Sequence, residues 1–92
     1  MKIDKRYTID SDKIAWRIVD GEAVILNLET GLYCSLDKVG TRAWQFLSEK
    51  KSYKETIDLL VDEYEVEKDI ITKDLLALID DLEKEELIEK EK

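Results

Sequence analysis

Apolar residues recur along this chain at two periods, and the change from one to the other falls near residue 38. Upstream, Ile14, Trp16 and Ile18 alternate with Ala15, Arg17 and Val19, the spacing of a strand with two unlike faces. Ala23 to Leu28 is apolar at nearly every position, which predicts a strand central in its sheet. Leu32 to Leu36 alternates again. Asp20-Gly21 between two apolar runs is a strong two-residue hairpin signal, and Glu29-Thr30-Gly31 turns the chain a second time. These segments predict a three-stranded antiparallel meander whose last strand, 32–36, is an edge by connectivity.

Beyond Asp37 the period becomes helical. Asp37 can cap a helix with Val39, Ala43, Phe46 and Leu47 on its inner face and Trp44 beside them. Ser52-Tyr53-Lys54-Glu55 is a capping-box pattern, followed by Ile57, Leu60, Val61 and Tyr64. A third helix is expected to start at Glu67 or Lys68, with Val66 and Ile71 spaced as a hydrophobic staple. Its inner stripe reads Ile71, Leu75, Leu78 and Leu82, with Ile79 on the flank. Leu76 lies about 120° from the centre of that stripe, with Thr72, Ile79 and Glu83 near it. Leu87 and Ile88 fold back to close the core. The first dozen residues read as a loosely attached polar arm and 89–92 as a charged tail, around one domain spanning 1–92. The fold class is α+β: a three-stranded antiparallel meander followed by three α-helices, in a topology like a winged helix-turn-helix.

Composition narrows the function. Hydrophobic residues make up 43% and charged ones 41%, so the chain can fold despite its 92 residues. Histidine is absent and cysteine occurs once, which removes His-dependent triads, an intrachain disulfide and a zinc site of several His or Cys ligands. No cofactor is expected. The N-terminal residues lack an apolar signal core and no run can span a bilayer, so a soluble cytoplasmic protein with a reduced thiol is expected. The net charge of −8 is uneven. Residues 1–52 carry nine Lys/Arg against eight Asp/Glu, whereas 53–92 carry six against fifteen. That asymmetry opposes nucleic acid and anionic membranes as partners. A winged-helix topology still raises the question of DNA. The expected third helix answers it poorly, because Asp69, Asp74, Asp80, Asp81 and Glu83 outnumber Lys73 and Lys84 along it.

Catalysis finds little support either. Cys34 sits mid-strand with no histidine to activate it, and reads as a half-buried core residue. Asp80-Asp81 and Glu85-Glu86 are adjacent on a helix, where neighbours diverge by about 100° and share no site. A binding surface of backbone and apolar side chains remains. The edge strand offers unpaired N–H and C=O groups that an extended peptide can take as a further strand. The N-terminal arm or a second copy of the chain could equally cover that edge.

The sequence from Thr30 to Trp44 resembles the PqqD family: a Thr-Gly turn, an aromatic strand with Tyr33, then Leu36-Asp37, Gly40 and Trp44. The likeness continues through the Tyr64–Val66 junction and the helix from Asp74-Leu75 to Leu82, closing at Leu87-Ile88. The resemblance implies a domain that binds the leader region of a ribosomally synthesised precursor peptide and delivers it to a modifying enzyme. That enzyme would be a radical SAM enzyme, or a lasso-peptide leader peptidase and cyclase. It also implies a groove made by Leu32, Tyr33, Cys34, Ser35 and Leu36 of the strand with Thr72, Leu76, Ile79, Asp80 and Glu83 of the third helix. The alternatives are a winged-helix transcriptional regulator and a homodimerising interaction domain. Glu86 departs from the family pattern, standing where many relatives have glycine, and implies a longer third helix.

Overall fold

Two helix-capping side chains and one tight turn set the path of the chain. In the computed structural model, which describes residues 5–90, Asp20 and Gly21 take φ of 53° and 82°. Two successive positive φ values match the twist of the flanking strands, so β2 (Ile14–Val19) returns directly into β3 (Glu22–Asn27). Asn27, buried at the end of β3, accepts the N–H groups of Glu29 and Thr30 on its Oδ1 and shapes the next turn. The chain then enters β4 (Tyr33–Ser35), and the sheet order is β2-β3-β4. The meander and its edge strand are as the alternation predicts.

Asp37 accepts the N–H of Gly40 at 2.8 Å and caps α1 (Lys38–Ser48). A Cβ on Gly40 would lie 3.1 Å from the Asp37 carboxylate and 3.3 Å from Leu36, so the close approach of cap and strand end favours glycine. Ser52 and Glu55 form the reciprocal capping box of α2 (Tyr53–Tyr64). α3 (Lys68–Lys84) begins without a side-chain cap. It ends in a Schellman motif, in which the N–H of Glu86 donates to Glu83 O and that of Leu87 to Leu82 O. Glu86 itself takes φ of 58°, so the helix stops where a glycine would stop it and does not run longer.

The inner sheet face, with Ile14, Ala23 and Ile25, packs on Ala43, Trp44 and Leu47 of α1. Trp16 meets Trp44 edge to face at 5.8 Å. Thr41 ties the layers together: its Oγ1 accepts the N–H of Ala23 at 2.7 Å and donates to Leu36 O at 3.3 Å.

Three sequence expectations need correcting. The N-terminal arm is not loose from residue 5 onward. Tyr7 is buried, Lys5 O accepts the N–H of Tyr53, and β1 (Tyr7–Thr8) pairs antiparallel with β5 (Glu89–Lys90). The start of the expected charged tail is thus the second strand of a small clasp, while residues 1–4 and 91–92 lie outside the described residues. The inner stripe of α3 is Ile71, Leu75, Ile79 and Leu82, and Leu78 sits on the flank, only partly buried. Leu78 and Ile79 both stand at helical spacing from Leu75 and Leu82, so the pattern alone did not separate them.

Candidate functional site

Edge strand β4 presents its free side through two residues. Leu36 N donates to Ala23 O and Asn27 N donates to Leu32 O, so Leu32, Cys34 and Leu36 turn their backbone groups toward β3. By alternation, the N–H and C=O groups of Tyr33 and Ser35 point outward to the open edge. No described strand, β1 and β5 included, pairs with that edge. The alternative in which the N-terminal arm covers this edge is not found in the described residues, since β1 pairs with β5 instead.

α3 packs chiefly on α2 and α1. Two open cavities lie near the two ends of the strand. One cavity of about 610 Å³ begins where β4 ends, at Asp37, Val39 and Gly40. Its walls are Tyr64 at the end of α2, Val66 in the turn beyond it, and Ile70, Asp74, Ala77, Leu78 and Asp81 of α3. A smaller one of about 140 Å³ lies at the other end of the strand, between Leu32, Tyr33 and Cys34 and the α3 terminus from Lys84 to Leu87. The helix therefore runs antiparallel to β4, and its Asp74-Leu78-Asp81 stripe borders the larger cavity beside the start of α1, while Glu85 borders the smaller one beside the strand.

That is the opposite flank from the one expected. Thr72, Leu76, Ile79, Asp80 and Glu83 line neither cavity. Ile79 is in the core, Asp80 pairs with Lys84 at 3.0 Å, and Leu76 is exposed. Two acids show the division directly. Glu83 faces the Tyr7 phenol, whose pKa is raised by burial, then by Glu83 and Tyr53. Glu85 faces Cys34, whose thiol pKa is raised by burial first and by Glu85 second. Glu83 belongs to the clasp side and Glu85 to the strand side. Leu32 to Leu36 lie along the edge, and the α3 residues that border the larger cavity include Asp74, Leu78 and Asp81. The sequence carried the same signal on both flanks, a hydrophobe among acids, and only the seating of α3 on α2 decides between them.

Cys34 is half-buried, as its position in the strand predicted. A raised thiol pKa leaves it protonated at neutral pH and weakly nucleophilic. Among the described residues no three His, Cys, Asp or Glu side chains are arranged to hold a metal ion, and no helix is long and apolar enough to cross a membrane. What the arrangement offers is backbone hydrogen bonding along one open strand, beside an apolar cleft with carboxylates on its rim.

Comparison with known proteins bears on the family and the fold. The family model for coenzyme PQQ synthesis protein D (PqqD) matches residues 22–88. A solved structure described as "TbiB1 in Complex with the TbiA(beta) Leader Peptide" is similar at 38% identity and a TM-score of 0.83, over 89% of this chain and 94% of that one. A second, "Lasso peptide synthetase B1 complexed with the leader peptide", has a TM-score of 0.82 at 24% identity, over 91% of this chain and 98% of that one, a likeness of fold. Among curated proteins, none matches this sequence.

Proposed function

The chain belongs to the PqqD family, and from that premise we propose that it holds the leader region of a ribosomally made precursor peptide for a modifying enzyme. The observation that carries the reading is the open edge of β4 beside an apolar cleft. An extended leader adds to the edge as a further strand, bonding the outward groups of Tyr33 and Ser35. Its alternate side chains enter the cleft against Val39, Ile70 and Leu78. The TbiB1 structure, solved with a leader peptide at 38% identity, supports the same role here.

The domain itself performs no chemistry in this reading. It raises the local concentration of a flexible substrate at the enzyme. That enzyme is a radical SAM enzyme, or a lasso-peptide leader peptidase with its cyclase, and the genes beside this one identify which. Sequence-specific DNA binding is disfavoured because α3 presents Asp74 and Asp81 on one flank and Asp80 and Glu83 on the other.

Fluorescence anisotropy tests the reading. A labelled leader from the precursor gene adjacent to this one should bind, and labelled duplex promoter DNA should not, at physiological salt. Tight DNA binding without leader binding would overturn it. So would a dimer, seen by light scattering, that leader cannot dissociate.

A further inference from the structure

The larger cavity joins an apolar floor to an acidic rim. Its floor is apolar, with Val39, Ile70 and Leu78, while Asp37, Asp74 and Asp81 stand around it. None of these three carboxylates has an ion-pair partner among the described residues; Asp37 is engaged only with the Gly40 N–H. On the other flank of α3, Asp80 pairs with Lys84, which also acts on Asp81 at longer range. The smaller cavity is lined by Glu85 and Glu86 beside that same Lys84, so among the described residues unpaired carboxylates stand at both ends of the groove.

We propose that this apolar cavity docks a peptide segment in which Lys or Arg flanks a bulky apolar side chain, so that the groove selects basic-apolar ligands and rejects acidic ones. The proposal rests on the peptide-binding reading above and adds the class of peptide. Charge complementarity favours such an occupant over a second copy of this chain, which brings a net charge of −8 to an acidic rim. Spacing adds a constraint. Asp74 and Asp81 are seven residues apart, about 10 Å along a helix rising 1.5 Å per residue. A strand rises about 3.3 Å per residue, so cations on one face, two to four positions apart, span that distance. The long stems of Lys and Arg lie along apolar surface while their heads reach the rim.

The test is selection of phage-displayed random 15-residue peptides on the immobilised full chain, in parallel on the wild type and on Asp74→Asn/Asp81→Asn. Both positions are exposed, and circular dichroism checks that the variant folds. Wild type should enrich peptides with Lys or Arg beside large apolar residues. Synthetic copies should bind more weakly as salt rises from about 0.05 to about 0.5 M, because the pairs at the rim are screened. The double variant should bind the same copies about 2- to 10-fold more weakly, the range for two partly exposed ion pairs, and with less salt dependence. Enrichment of neutral or acidic peptides, or equal binding by both proteins, would overturn the selectivity while leaving peptide binding intact. Failure of either protein to enrich any peptide would count against peptide binding itself.

Discussion

Glu86 sits in left-handed backbone with φ of 58°, a conformation that crowds its Cβ against the following carbonyl. The Schellman motif that ends α3 needs this conformation whichever residue occupies it. Glu86→Gly should therefore stabilise the domain, by about 0.5–1 kcal/mol once the greater freedom of glycine in the unfolded chain is subtracted. Urea titration reads this as a higher midpoint at unchanged slope. Cys34 provides a second check at this scale. Burial first and Glu85 second raise its thiol pKa, so alkylation by iodoacetamide should be slow at neutral pH and accelerate only above the ordinary thiol range. Rapid labelling at pH 7 would contradict the half-buried placement beside Glu85.

Strand β4 has two kinds of backbone donor, and proline distinguishes them. Ser35→Pro removes an outward N–H that the free protein does not use, so the fold should survive and leader affinity should fall. Cys34→Pro removes an inward donor and should loosen the β3–β4 pair, seen as a lower melting temperature before any ligand is added. Helix α3 divides in the same way. Ile70 and Leu76 are almost equally exposed, at 54% and 53%, yet only Ile70 lines the larger cavity. Ile70→Glu should weaken leader binding by anisotropy, and Leu76→Glu should leave it unchanged. The reverse result would restore the flank first expected from the sequence.

At the scale of the molecule, the β1–β5 clasp joins the two ends of the described chain beside α1. Tyr7 lies under that clasp, its phenol pKa raised by burial, then by Glu83 and Tyr53. Tyr7 and Cys34 both keep their protons to higher pH in the folded state than in the unfolded one. The unfolded chain then binds fewer protons than the folded chain at alkaline pH, so stability should fall as pH rises from the unperturbed values, about 8.5 for the thiol and about 10 for the phenol, through the raised folded ones. Chemical denaturation from about pH 7 to about pH 11 measures the decline. A Tyr7→Phe/Cys34→Ser variant, which lacks both protons, should show a flatter profile.

Local chemistry was legible in the sequence wherever it acts over a few residues. The Asp20-Gly21 turn, the Asp37 cap and the Ser52/Glu55 capping box all form as their residue types dictate, because each is satisfied by backbone within three positions. Period and connectivity identified the meander, the three helices and the edge strand at 32–36, and the pairing of β4 with β3 decided that Tyr33 and Ser35 are the outward residues. The motif from Thr30 to Trp44 also pointed to the family that matches residues 22–88. Rotation of α3 about its own axis was not legible. Leu78 and Ile79 satisfy the same spacing, and acids occupy both flanks, so the wheel has two nearly equivalent seatings. Packing of Ile71, Leu75, Ile79 and Leu82 into the core chose one of them. That choice put Asp74, Leu78 and Asp81 on the larger cavity and left Thr72, Leu76 and Glu83 outside both cavities. The clasp was illegible for a related reason: pairing Tyr7–Thr8 with Glu89–Lys90 joins residues about eighty positions apart, and two such short polar segments carry no periodicity. Only the folded core brings them together.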